Sequence, residues 1–262
     1  MQVCSTGQEP FVSVSQNDRR ELAQLFYHYF DLIPADSTKL RREVYAIRYR
    51  VYCEHLRFES MEDNPNCLEY DDHDRFSDHC LLWHKASGRY VGCVRIIHKK
   101  TTLLPFETFF GEQKSKVMGS YSEISRLAIL PEYSRTQRKK TVSAYGAEER
   151  QLFPYISLGL ILAGAACVLR LGNACSFATM EPRLARLLTR LGVHCELISK
   201  LVEHHGHRAV YIIYPVQLHS KLDPMVEMML QHTVSTVKKA NFLPLEGAGN
   251  MLPTALVVPE AV

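Results

Sequence analysis

The sequence predicts one α/β domain built on a mostly antiparallel sheet. Helical and strand-like apolar periods mix along the chain, with no linker before residue 241. Two connections, 86–89 and 204–207, read as hairpin turns, which join antiparallel neighbours. The 262 residues are 46% hydrophobic and 23% charged, the composition of an ordinary globular protein. Disorder, collagen and coiled coil are thereby excluded for the chain as a whole. Lys plus Arg number 31 against 28 Asp plus Glu, a net charge of +3, so no nucleic-acid partner is expected.

Residues 18–29 carry Leu22, Leu25, Phe26 and Tyr29 at helical spacing. A short strand, 30–35, ends at Asp36. Ser37 or Thr38 caps a second helix running to about residue 54, with Leu40, Val44, Ile47 and Val51 on its apolar face. Residues 58–75 read as a loop whose end is densely acidic. Strands 79–84 and 90–98 form a hairpin, and 101–110 is an apolar loop around Pro105. Another strand, 120–130, stops at Pro131. Strand 174–180 and helix 182–191 follow, the helix with Pro182 in its first turn and Gly192 just beyond its end. Strands 195–202 and 209–214 precede a last helix, 224–239. The unit 174–202 is expected to add a parallel strand pair, and the Gly/Pro-rich stretch from 241 to be a loose tail.

Residues 152–169 carry no charge and approach the length of a membrane span, about 18 residues. Pro154, Gly159, Gly164 and three alanines dilute the run, so a buried core helix is the expectation. None of the eight cysteines forms a C-x-x-C pair, and several lie in apolar runs, which points to a reducing cytosol and to packing. Residues 1–10 show neither a basic start nor an apolar stretch, so no secretory signal is read. His204, His205 and His207 lack further ligands at zinc spacing and read as a surface turn, with no metal expected.

The sharpest feature is a set of charges inside apolar elements: Arg48, Asp71, Asp74, Arg95, Glu123 and Arg126. Buried charges are costly unless paired, and three acids with three arginines can neutralise one another in a cleft. The alternative is that they alternate outward to solvent. Glu123 and Arg126 point to opposite faces in a regular strand, and a β-bulge near Ser125 would return them to one face.

These charges lie in R-Y-R-V-Y (48–52), E-Y-D-x-x-D (69–74), G-x-V-R-I-I (92–97) and E-I-S-R-L-A-I (123–129). In this order and spacing the four motifs resemble the acyl-homoserine-lactone synthases and the N-acyl amino acid synthases. With F-D-L-I-P-A-D (30–36), L-x-F-E (56–59) and L-E-Y-D (68–71), the sequence looks most like the acyltransferases associated with PEP-CTERM/exosortase systems. The resemblance covers about residues 30–216. It implies a GNAT-type three-layer α-β-α sandwich, whose mixed sheet opens in a V-shaped split that holds the pantetheine arm of an acyl thioester. Strand 122–130 would line the split, with 174–180 across it and the backbone of Leu127, Ala128 and Ile129 meeting the pantetheine.

The implied activity is N-acyl transfer from an acyl carrier protein or CoA thioester to the amine of an amino acid or related small molecule. An amine attacks the thioester directly, so a base must remove a proton. Glu123 is the first choice for that base or for amine anchor, and Asp71 the alternative. Arg48, Arg95 and Arg126 would orient carboxylates or bind that of the acceptor, and Asp74 would complete the ion pairs. Backbone N–H groups of the strand from Glu123 to Ala128, Ser125 among them, would hold the oxyanion. Tyr52 and Phe58 would cover the acceptor pocket, and helix 152–169 would wall an acyl tunnel with Phe106, Phe109 and Phe110 nearby. No resident cofactor is expected.

The basic run Arg135, Arg138, Lys139 and Lys140 lacks the glycines of a phosphate cradle, so it suits the acidic surface of an acyl carrier protein. The expected setting is cytoplasmic, with peripheral inner-membrane contact for an amphiphilic product. Two other readings stand beside this one. The first is a lactone synthase using S-adenosylmethionine. The second is a non-catalytic acyl-carrier or lipid-binding module.

Overall fold

The computed structural model describes residues 16–99, 103–110, 119–133, 145–203, 205–214 and 222–242. One eight-stranded sheet organises them. The strands are β1 (Phe30–Pro34), β2 (Ser77–His84), β3 (Arg89–His98), β4 (Tyr121–Ile129), β5 (Cys175–Met180), β6 (Cys195–Leu197), β7 (Val202–Glu203) and β8 (His207–Ile213). Their spatial order is β1-β2-β3-β4-β5-β8-β6, with β7 against β8. Every pairing is antiparallel except β4 with β5. The expected antiparallel α/β sheet is therefore present. The parallel pair, however, is β4/β5 and not a pair within 174–202, because β8 inserts between β5 and β6.

Helices cover both faces. Helix α1 (Gln16–Tyr29) is followed by α2 (Thr38–Arg48), α3 (Pro105–Phe110), α4 (Ala147–Arg150), α5 (Ile156–Arg170), α6 (Pro182–Arg190) and α7 (Pro224–Lys238). Ser37 caps α2, its side chain accepting the Leu40 N–H. The helical rise then continues only as a π-helical segment, Tyr49–His55, where a regular helix to about 54 was expected. Segment 101–110 is not wholly a loop either. Pro105 opens α3 and the Glu107 carboxylate accepts the Leu104 N–H at 2.7 Å, satisfying a free donor at the helix start. The expected strand 195–202 is broken, since the Ser199 hydroxyl accepts the Val210 N–H from β8 and turns the chain between β6 and β7.

The uncharged run is core. Among the described residues, Ala147–Arg170 is the one stretch long and apolar enough to cross a membrane, and 78% of its most apolar window is buried inside the protein. Twelve of the fifteen residues of α5 are buried. Its small residues have a packing reason. Gly164 lies where a Cβ would stand 3.0 Å from Ile124 of β4, so the helix rests directly on the strand beside the split.

Gly92 of β3 is equally constrained, because an added Cβ would meet the Ala128 carbonyl oxygen and Leu160 Cδ1, each at 2.9 Å. Backbone cannot retreat as a flexible side chain can. Gly92→Ala is expected to lower stability by about 1–3 kcal/mol, read as a fall in the urea midpoint at unchanged m-value. A midpoint equal to wild type would show that the β3–β4–α5 layer is loosely packed.

Candidate active site

The parallel ladder between β4 and β5 is short. Tyr121, Ser122 and Glu123 pair with Cys175, Ser176 and Phe177, and the register stops there. Beyond Glu123 the strands diverge. The cause lies in β4, where Arg95 pairs with Ser125 and Cys93 with Ala128, so β4 holds one residue more than β3 across that interval. This is a β-bulge, which bends and twists the strand that carries it. It centres on Arg126, whose φ of +46° is rare for a side chain with a Cβ. Arg126 and Leu127 have no partner in the β3 register, at the mouth of the split.

A cavity of about 360 Å³ fills the split and passes through the sheet. Side-chain alternation divides its walls. Ala178, Met180 and Ile213 belong to the core under α5 and α6, and with Ile161, Leu184 and Leu188 they make one end apolar. The other end is polar, carrying Glu123, Ser125, Arg126, Arg95, Glu59 and Arg208. It lies on the α2 side of the sheet, where Cys93 Sγ reaches the Val44 carbonyl.

Glu123 stands at the apex of the V. It is 2% exposed, and its Oε2 accepts the Phe106 N–H of α3 at 3.1 Å. Burial pushes its carboxyl up to about 7, against the opposing pull of that N–H and of Arg95 and Arg126. Glu123 is not part of the ion-pair network, contrary to the arrangement read from the sequence.

The network has another third acid, Glu69. Arg48, wholly buried, donates through Nε to Glu69 and through Nη1 to Asp74 at 2.7 Å. Arg95 donates through Nη1 to Asp71 at 2.6 Å and to Asp74 at 3.2 Å, and through Nε to Ser125 Oγ at 3.0 Å. Arg126 reaches Glu59 at 2.9 Å, Glu69 at 3.2 Å and Asp71 at 3.5 Å. Three guanidinium groups thus face four carboxylates. Asp71 also caps the 3-10 turn Asp72–Phe76, in a reciprocal box with Asp74, which explains the D-x-x-D spacing. Burial raises the Asp74 and Asp71 carboxyls, but Arg48 and Arg95 outweigh it, holding Asp74 well below the usual carboxylate range and lowering Asp71 too. His79, beside Asp74 at 3.4 Å, is pushed down to about 3 by burial and is neutral at pH 7.

The π-helical segment aims Tyr52 at the bulge. Its hydroxyl donates to the Leu127 carbonyl at 2.9 Å, and the Arg126 guanidinium lies 5.5 Å from its ring centroid. A π turn at such a place is common, since the extra residue redirects a side chain. Phe58 stacks on His205 at 4.2 Å between centroids, which joins the loop after the π segment to the β7–β8 turn and roofs the polar end.

Of the residues expected at the site, Glu123, Arg95, Arg126, Tyr52, Phe58, Ser125 and Leu127 line the cavity. Arg48, Asp71 and Asp74 do not; they hold its floor through the ion pairs. Ala128 is fully buried opposite Cys93, and Ile129 is likewise absent from the cavity wall. Leu130 donates to Val91 on β3, so alternation turns the peptide groups of Ile129 to the opposite edge, toward the split. The side chain of Phe109 and the run Arg135, Arg138, Lys139, Lys140 lie outside the described residues. Phe106 stacks on Phe177 in a second core cluster, away from the apolar end. Sequence reasoning missed Glu69, Glu59 and Arg208. Glu69 was legible as a second acid beside Asp71 within L-E-Y-D, whereas Arg208 follows three histidines and carries no local signal. Among the described residues no cluster of His, Cys, Asp and Glu could hold a metal ion.

Comparison with known proteins agrees with this geometry. Residues 47–144 match the family model described as an acetyltransferase (GNAT) domain. The fold is of the GNAT type. Solved structures share it at low identity. BjaI, a CoA-dependent acyl-homoserine lactone synthase solved with SAM and isopentyl-CoA, superposes with a TM-score of 0.53 at 16% identity, covering 83% of this chain and 95% of its own. TofI, solved with an inhibitor and MTA, gives 0.52 at 20%, covering 76% and 99%. FeeM, an N-acyl amino acid synthase from uncultured soil microbes, gives 0.50 at 13%, covering 75% and 96%. No curated protein sequence matches the chain.

Proposed function

We propose that this GNAT-fold protein is an N-acyltransferase moving a long-chain acyl group from a carrier-protein or CoA thioester to the amine of an amino acid or related small amine. One observation carries the reading. A single cavity joins an apolar chamber to a polar one through the split, with a carboxyl that burial raises to about 7 at the junction. A thioester lying in the split would rest its acyl chain on Ile161, Leu184 and Leu188, and present its carbonyl near the bulge. The amine would enter from the polar side.

The amine nitrogen attacks the thioester carbon, and a tetrahedral oxyanion forms. Glu123 takes the proton that the nitrogen must lose, the C–S bond breaks, and the proton is returned to the departing thiolate. A carboxyl held near 7 is far better matched to this than one in the ordinary range. Asp71, held low by Arg95, is a weak base, so the base role goes to Glu123. The N–H groups of Arg126 and Leu127, which have no partner in the β3 register, would be the donors for the oxyanion. Arg48, Arg95, Asp71 and Asp74 position Arg126 and Ser125 beneath the reacting centre.

A carrier protein is the donor this reading favours, on the basic run and its missing glycines, and the setting would be cytoplasmic, with product at the inner membrane. The exosortase-associated branch is part of the proposal and rests on the motifs of residues 30–36 and 56–71. Expression in a heterologous host, followed by mass spectrometry of the lipid extract, tests it. A new N-acyl amino acid or N-acyl amine is the expected result. A lactone would assign S-adenosylmethionine as acceptor. Absence of new lipid, with carrier binding but no thiol release from any amine, would establish the non-catalytic module.

A further inference from the structure

Three described arginines line the polar chamber, and two of them are ion-paired. Arg95 holds Asp71, Asp74 and Ser125, and Arg126 holds Glu59, Glu69 and Asp71. The third, Arg208, makes no ion pair with any described residue. Its guanidinium lies 6.0 Å from the Phe58 ring centroid, and its Nε is buried without a hydrogen-bond partner. A buried, unpartnered guanidinium nitrogen is costly, and on a cavity wall, in a group with no ion pair to a described residue, it offers a donor to an entering anion.

Position says which anion. Along β8, Val210 and Ile212 belong to the cluster with Phe177 and Phe106, while Ala209, Tyr211 and Ile213 face the core under α5. Alternation puts Arg208 with Val210, on the face where Glu123 accepts from Phe106. Arg208 therefore belongs to the chamber that the amine would occupy, and not to the apolar one beneath it. Phe58, between His205 and Arg208, fixes the distance from roof to guanidinium.

We infer that Arg208 binds the carboxylate of an anionic amine acceptor, and so selects amino acids over amines that lack a carboxylate. This rests on the acyltransferase reading for the reaction, but the binding it claims is measurable without turnover. The planar guanidinium matches a carboxylate bidentately, and the arginines named from the sequence for this task are already occupied.

The test uses the full chain, each of the twenty amino acids, and the matching decarboxylated amines. Direct binding is followed by calorimetry, and acylation by thiol release from long-chain acyl carrier protein. Wild type is expected to bind at least one amino acid, and its decarboxylated partner about 10- to 100-fold more weakly. Arg208→Met should remove that discrimination, raising KM for the amino acid by the same factor. The KM for the acyl donor should stay put, and Arg208→Lys should restore part of the preference. Since Arg208 makes no described ion pair, the variant should melt with wild type, and the melting curve checks this. The inference is overturned if no amino acid binds wild type, if the decarboxylated amines bind equally well, or if Arg208→Met raises KM for the donor instead. Binding with the expected discrimination but no thiol release would sustain Arg208 and sink the acyltransferase reading.

Discussion

Replacing Arg48 with methionine is expected to destabilise the protein by about 3–5 kcal/mol, the cost of stripping one partner from a buried ion-pair set. Arg48 is wholly buried, and both of its acids, Glu69 and Asp74, are nearly so. Methionine fills much of the volume but leaves two buried carboxylates short of a cation. The effect should depend on pH, with a definite sign. In wild type the Asp71 and Asp74 carboxyls titrate below the ordinary 3.8, so their stabilisation is complete above that value and is lost only as the pH falls through the lowered folded pKa values. Without Arg48, burial dominates and the Asp74 carboxyl rises. The variant should then lose less at pH 4 than at pH 7. Urea titrations at the two values check this. An equal loss at both would mean that Arg48 acts by packing alone.

The second large effect concerns Glu123. Glu123→Gln keeps the shape and an oxygen for the Phe106 N–H, but cannot accept the amine's proton. It is expected to lower kcat by about 10²- to 10⁴-fold, the usual contribution of a positioned base. The donor KM should change little. In wild type kcat/KM should rise through pH about 7, where the carboxylate forms, and the variant should lack that limb. Stability should move the other way. A carboxyl whose folded pKa is raised from 4.5 to about 7 costs nothing below 4.5, and its penalty grows between those values and is complete above 7. Glutamine removes the penalty. The variant should therefore match wild type at pH 4.5 and exceed it at pH 8 by up to about 3 kcal/mol. A variant with wild-type kcat would transfer the base role elsewhere. One that gains nothing at pH 8 would show that Glu123 is solvated in solution. Improved stability with lost activity is the signature of a group held in an unfavourable environment for function.

Much of the fold was legible because its causes are local. Ser37 caps α2 whatever lies around it, Pro182 starts α6, and the 86–89 turn returns β2 onto β3. The elements misjudged are those where distant groups intervene. The break between β6 and β7 depends on a hydrogen bond from β8, and α3 on the capping of Leu104 by Glu107, which is itself held by Lys99 and Tyr121. The pairing of β4 with β5 depends on a crossover through α5, of which nothing in 174–202 gives notice.

The candidate site divides in the same way. From the sequence alone came the motifs, the three arginines and two of the acids of the ion-pair network, and the strand that lines the split. A charge inside an apolar element needs a partner, and that need is written in composition and period. Only the tertiary structure decided which partner each charge takes. Glu69 and Glu123 read alike along the chain. Yet Glu69 meets Arg48 and Arg126 and is neutralised, while Glu123, behind α3 and Phe106, meets no cation at salt-bridge distance among the described residues and titrates near neutrality. The bulge at Arg126 and the approach of β8 set those environments. Both are relations between strands distant in sequence, and the local environment, not residue type, determines whether a carboxylate is an ion-pair partner or a base.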